Sequence, residues 1–209
     1  MTPSFQSIVP GLGYWQATEN PLSSDVGLIE GSRHCWLFDV GAAPETAEAI
    51  RALPHPCSAI LSHFHQDHVA NLPLLQCETV YASPYTRRHL NRGVAVSTPL
   101  YLSGEPEMYL FPFPSSHAKG CLALQVDQAY CFLGDGLYTG IRDGRPAYNA
   151  GQLQEQLRLL RSLPARYLLL SHDACFLHDK EEILEELEQL LALRRPGDNF
   201  ILPFSQENI

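Results

Sequence analysis

Short apolar runs alternate with polar joints along the chain, and the period of each run sets the element it predicts. Near the start, SDVGLIEGSRHCWLFDVG reads as two strands joined through EGSR, a glycine-containing hairpin turn. PETAEAIRALP follows, bracketed by prolines and with apolar residues at helical spacing, and predicts a short helix. CSAILS is a short apolar strand, LPLLQ a helical turn, ETVYAS a further strand and PYTRRHLN another short helix. From Glu105 to Pro114 the pattern is extended, and GCLALQVDQAYCFLGDG predicts a second hairpin. AGQLQEQLRLLRSLP is an amphipathic helix ending before Pro164, and RYLLLSHD is a buried strand. DKEEILEELEQLLALRR closes the chain as a helix with acids early and arginines late, as the helix dipole favours. Strands with helices interspersed, in two halves of strands followed by helix, predict an α/β chain. No linker, repeat or low-complexity stretch interrupts it, so residues 1–209 read as a single domain.

Several of these strands end in polar clusters, and loops at strand ends are where rigid scaffolds carry their chemistry. The stretch ILSHFHQDHVAN places His63, His65, Asp67 and His68 within six positions. Unpaired ionisable groups cost free energy to bury, so the segment is a metal site, a proton-transfer site or a solvated loop. On an extended segment His63 and His65 point to the same side. Asp67 and His68 follow as the chain turns, so one segment can offer a pair of ligands to each of two ions. A zinc ion with an open position needs about three protein ligands, which requires further donors at later strand ends. They are present: His117 closes LFPFPSSH, Asp135 closes YCFLGD and His172 closes RYLLLSH. A solvated loop predicts no such companions.

Composition narrows the partners. Hydrophobic residues make up 45% and charged residues 18%, the balance of a folded globular chain. The net charge of −9, with fourteen scattered Lys and Arg, argues against a nucleic-acid partner, which calls for a basic stripe. No apolar run approaches the roughly 20 residues of a membrane helix, so no membrane partner is expected. The opening MTPSFQSIVPGLGYWQ lacks the basic-then-apolar pattern of a signal peptide. Six cysteines without a CxxC pair fit reduced thiols in a cytoplasmic protein.

The set His63, His65, Asp67, His68, His117, Asp135 and His172 resembles the H-x-H-x-D-H…H…D…H signature of the metallo-β-lactamase superfamily. Asp39, in WLFDVGA, resembles that superfamily's early structural aspartate. The resemblance implies a four-layer αβ/βα sandwich, two mixed sheets with outer helices. It implies that His63, His65 and His117 hold one metal ion, that Asp67, His68 and His172 hold a second, and that Asp135 bridges them. An imidazole-rich set suits two Zn2+, with iron or manganese as alternatives. His65 stands where the flavodiiron branch carries a glutamate, which favours hydrolysis over redox chemistry. Two metals roughly 3.5–4 Å apart share a hydroxide that is a strong nucleophile at neutral pH. Asp67 would orient it and pass a proton to the leaving group.

Two further residues follow from the same resemblance. Tyr138, three residues beyond Asp135 in GDGLY, matches a tyrosine that donates to the substrate carbonyl in lactone-hydrolysing members. Lys119, two residues after His117, is placed to attract an anionic substrate group. The sequence SSHAKGC departs from the TPGHTPG usual in lactonases and glyoxalase II-like thioesterases. His34, His55, His89 and His178 read as surface or capping residues, and RDGRPAYNAG as a mobile wall of the pocket. The expectation is a zinc-dependent hydrolase of a small ester-like molecule, a lactone or thioester. Its rivals are a metal-dependent phosphodiesterase, an iron-dependent persulfide dioxygenase and a non-catalytic metal-binding sensor or scaffold.

Overall fold

The computed structural model describes residues 3–102 and 106–203. Val26–Glu30, buried from Val26 to Ile29, pairs antiparallel with Cys35–Phe38 through the predicted turn. The chain then crosses over through the helix Pro44–Arg51, which has proline in its first turn, and returns as Cys57–Ile60, parallel to Cys35–Phe38. Cys77–Ala82 and Val94–Ala95 extend the parallel part, with Pro84–Leu90 between them capped by the Ser83 hydroxyl. On the other edge lies a hairpin that the hydrophobic pattern did not reveal, Phe5–Val9 with Leu12–Trp15. Its outer strand is mostly exposed, so it carries little apolar signal; the Pro10–Gly11 pair, with Gly11 at φ 80°, marks the turn. These seven strands form the first sheet.

The second sheet has six strands, in the order Leu100–Leu102, Met108–Phe113, Cys121–Val126, Tyr130–Gly134, Tyr167–Leu170 and Leu177–Asp179. The extended segment expected from Glu105 is found over Met108–Phe113, and Glu105 itself lies outside the described residues. Its one parallel pair, Tyr130–Gly134 with Tyr167–Leu170, is joined through the helix Ala150–Ser162, capped by Asn149. The sheets stack face to face through Ile29, Phe38 and Ile60 of the first and Leu110, Leu124 and Phe132 of the second. Behind the first sheet, Ala47 and Ile50 of Pro44–Arg51 pack on Leu37 and Ala59. Behind the second, Ala150–Ser162 and Lys180–Ala192 pack on Ala123, Leu133 and Leu168. The four layers are therefore helix, sheet, sheet, helix, as expected.

Two details differ from the pattern. The last helix ends at Ala192 with no basic residue in its final turn, so Arg194 and Arg195 lie beyond the dipole they were expected to meet. Pro196 explains the stop, since the residue before a proline is disfavoured in helix. The RDGRPAYNAG stretch is regular structure: a hairpin of Gly140–Arg142 and Arg145–Asn149, extended by Phe200–Ile201 into a small sheet. The Arg142 guanidinium lies 4.9 Å over the Phe200 ring. Among the described residues no helix is long and apolar enough to cross a membrane.

Candidate metal centre

Two of the parallel pairings set strand ends side by side, Phe38 with Ile60 in the first sheet and Gly134 with Leu170 in the second. The residues that follow them carry the chemistry: Asp39, His63, Asp135 and His172. Ligand sites of α/β sheets form at the carboxyl ends of parallel strands, because the loops there leave a rigid edge and converge. After Ile60 the chain bends at Ser62, and from His65, itself extended, it makes one helical turn, Gln66–Val69. That turn is tied down by backbone bonds from Val40 and Gly41 to the His68 carbonyl. Asn71, buried, fixes the same loop from the other side by donating to the Val40 and Ala43 carbonyls.

All seven expected residues converge. The ligand atoms of His63, His65, His117 and Asp135 form one group, and those of Asp67, His68, Asp135 and His172 a second; within each, the atoms lie within 4.8 Å of one another. Asp135 belongs to both. Its Oδ2 stands 3.2 Å from His68 Nε2, 3.3 Å from His117 Nε2 and 3.9 Å from His63 Nε2. His63, His68 and Asp135 make a buried floor, while His65, Asp67, His117 and His172 are partly exposed and form the rim. Access from solvent is therefore over the rim.

Hydrogen bonds set the imidazole tautomers. The Ser62 hydroxyl donates to Asp39 Oδ2 at 2.7 Å, so it accepts from His63 Nδ1 at 2.9 Å. His68 Nδ1 donates to the same Asp39 oxygen at 2.8 Å, and His117 Nδ1 to the Thr139 carbonyl at 3.3 Å. In each ring the Nδ1 proton is spent outward and the Nε2 lone pair faces the centre, the arrangement metal-binding histidines need. Three buried atoms of the cluster, His63 Nε2, His68 Nε2 and Asp135 Oδ1, have no hydrogen-bond partner among the described residues. Burial and the neighbouring imidazoles His68, His65 and His117 push the His63 pKa far down, which holds it in the neutral, ligating form. Buried lone pairs beside a carboxylate suit cations, so each donor group could hold a metal ion. Asp39, expected to hold nearby backbone, does so through Ser62 N at 2.7 Å and also orients His68.

Asp25 is the residue that sequence reasoning missed. It is buried at the head of the Val26–Glu30 strand, and its carboxylate accepts from Ala17 N and from His172 N, both at 2.9 Å. Ser171 Oγ donates to it at 3.3 Å and in turn accepts from Asp25 N at 2.9 Å. Burial raises the Asp25 pKa, and the bonds from His172 and Ala17 oppose the rise. His172 adopts φ 63°, a left-handed conformation uncommon outside glycine, so the Asp25 bond holds a strained ligand in place. A carboxylate abutting a fully buried strand was the one available signal. Gly134 is fixed by the same crowding: at φ 53°, an added Cβ would lie 2.8 Å from the Ser62 hydroxyl that orients His63.

Tyr138, expected as a donor to substrate, is half-buried beside the centre. Its hydroxyl donates to the Ser171 carbonyl, and its ring centroid lies 6.3 Å from that of His117. Burial raises its pKa, with nearby acids adding to the effect, so the phenol stays protonated and props the His172 loop. Lys119 is exposed beside His117. Of the histidines expected at the surface, His55 and His89 are exposed, and His89 stacks on Phe64, centroids 4.3 Å apart, next to His65.

Solved structures share this layering. A metallo-beta-lactamase from Pontibacter korlensis superposes with a TM-score of 0.71 at 17% identity, over 92% of this chain and 100% of its own. The chain has the metallo-β-lactamase fold. Residues 20–93, which carry Asp25, Asp39 and the histidine loop, match the model of the metallo-beta-lactamase superfamily. An archaeal member of that superfamily from Sulfolobus tokodaii is 18% identical with a TM-score of 0.63, over 90% of this chain and 89% of its own. The flavodiiron protein from Giardia intestinalis is 14% identical with a TM-score of 0.68, over 89% of this chain and 59% of its own. No curated protein matches the sequence. At such identities the likeness extends to the metallo-β-lactamase fold and leaves the reaction to the site itself.

Proposed function

We propose that the chain, as a single domain, is a dinuclear zinc-dependent hydrolase of a small ester-like substrate, a lactone or thioester. The observation that carries this reading is Asp135, one buried carboxylate that completes two ligand groups at once. Zinc bound there supplies Lewis acidity and water ionised at neutral pH. Asp67 stands on the rim, bonded to His172 Nε2 at 2.9 Å. Burial opposes its ionisation, but the His172 bond outweighs it and holds the carboxyl below its usual range. An ionised carboxylate in that position accepts a proton from the nucleophile and returns it to the leaving group. The partly exposed His65 and His117 flank the approach, and Lys119 offers a cation to an anionic substituent. Six free thiols, four of them buried, suit such an enzyme to a reducing cytoplasm.

Protein purified without added metal is expected to carry two zinc ions per chain by elemental analysis; one iron ion per chain would assign it to redox chemistry instead. Assayed against lactones, thioesters, β-lactams and phosphodiesters, it should turn over a lactone or thioester. Asp67→Asn, assayed with zinc added to keep both ligand groups filled, should reduce that rate by on the order of 10²–10⁴-fold. Turnover confined to phosphodiesters would replace the substrate class, and no Asp67-dependent turnover would leave a metal-binding protein without catalysis.

A further inference from the structure

Three of the six cysteines stand in register across the parallel strands of the first sheet. Cys35 is the Cα partner of Cys57, and Cys57 the partner of Cys77. All three lie at the ends of their strands away from the metal centre, since the ligands follow the opposite ends. Cys57 faces the core layer beneath Pro44–Arg51 together with Ala59 and Leu61, as strand alternation requires. Cys77 should face the other way from Val80, because three is an odd number of steps. It does not: Cys77 packs with Val80 and Ala82 on the same layer as Cys57. The cause is a bulge, for Cys57 and Ala59 are two residues apart whereas their partners Cys77 and Val80 are three apart. The extra residue turns Cys77 onto the face of Cys57.

We propose that Cys57 and Cys77 are a redox-active dithiol that a low-molecular-weight disulfide oxidises to a cross-strand disulfide. Neighbouring strands lie about 4.7–4.9 Å apart. That is inside the roughly 4.4–6.8 Å between Cα atoms that a disulfide spans. Cys77 is the accessible member: it is partly exposed, and the short strand Val94–Ala95 pairs only with Tyr81 and Ala82, leaving Cys77 without a strand partner on that side among the described residues. A hydrogen bond from the Cys57 thiol lowers the Cys77 pKa against the effect of burial, and the Arg92 guanidinium adds to it. Cys57 is correspondingly held protonated. Cys35 is wholly buried and its thiol is pushed up by that burial, which makes it inert.

The reaction balances with a disulfide RSSR as oxidant. The Cys77 thiolate attacks one sulfur, expels RS⁻ and forms a mixed disulfide. That step removes the thiolate to which Cys57 donated, so Cys57 gives up its proton and attacks the Cys77 sulfur, expelling the second RS⁻. The protein loses two electrons and two protons, and RSSR gains both as two RSH. The bond would close the segment 57–77, which holds His63, His65, Asp67 and His68.

Trypsin provides a clean readout, because no Lys or Arg lies between Arg51 and Arg87. Cys57 and Cys77 fall in one peptide, 52–87, Cys35 in 34–51 and Cys175 in 167–180. Folded, reduced protein is treated with oxidised glutathione, alkylated with iodoacetamide and digested. Peptide 52–87 is expected to lose two hydrogens and both alkylation sites, with no glutathione attached. Exposed Cys175 should take up glutathione and so report that the oxidant was active. In Cys57→Ser, which lacks the resolving thiol, Cys77 should keep its glutathione adduct. The proposal is overturned if peptide 52–87 is doubly alkylated while Cys175 is modified. A lasting adduct on Cys77 in the wild type, a cross-link to 34–51, or an unmodified Cys77 in Cys57→Ser overturns it equally.

Discussion

Asp135→Ala should strip metal from both ligand groups at once, whereas His117→Ala and His172→Ala should each remove one ion and leave the other. The asymmetry follows from position. His117 belongs only to the group with His63 and His65, and His172 only to the group with Asp67 and His68, while Asp135 lies in both. A partner that merely orients a ligand typically costs about 10–100-fold in metal affinity, and loss of a direct ligand shared by two ions should exceed that. The carboxylate is also the one acid among the buried ligand residues, set against the buried imidazoles of His63 and His68. Metal content after dialysis, measured for all three variants beside the wild type, gives the answer. If Asp135→Ala keeps one ion as firmly as His117→Ala does, the carboxylate is not shared and the dinuclear reading fails.

Asp25→Ala should lower stability by about 3 kcal/mol, although Asp25 belongs to neither ligand group. Its removal leaves Ala17 N and His172 N without an acceptor and frees the Ser171 hydroxyl, all in or beside the interior. Each buried group so stranded costs about 1–3 kcal/mol, partly relieved where water can reach. His172 then loses the bond that holds its left-handed backbone, so the loss of metal should fall first on the group with Asp67 and His68. Urea unfolding of the metal-free protein measures the first effect and metal content the second. An unchanged midpoint would show that the buried carboxylate contributes nothing to joining the two sheets. Asp25→Asn keeps one acceptor oxygen and should fall between the two.

Why the site was legible while its support was not can be read from these residues. His63, Asp135 and His172 each follow a short apolar strand, and such strands are recognised from local pattern alone, so the ligands announce themselves by where they stop. The histidine loop packs four donors into six positions, which no solvated loop requires. Asp25 has no such local mark. Its partners Ser171 and His172 are 146 and 147 residues away, and only the stacking of the sheets brings them together. Tyr138 shows a related limit: its spacing from Asp135 suggested a substrate donor, and its hydroxyl's bond to the carbonyl of Ser171 is a contact that spacing cannot reveal. The bulge that turns Cys77 is equally hidden, since the register of two strands belongs to the pair and not to either sequence.

The ligands are divided between the sheets: His63, His65, Asp67 and His68 follow a strand of the first, and His117, Asp135 and His172 belong to the second. An unfolded chain holds these groups far apart, so metal bound to the folded form enters the folding equilibrium as a reactant. Above the dissociation constant, each tenfold rise in free metal adds about 1.4 kcal/mol per ion to the folded state. The concentration of free metal around the protein thereby becomes a control on how long a metal-binding fold lasts. A cell short of the metal would lose the polypeptide to proteolysis, because differences of this size change abundance several-fold.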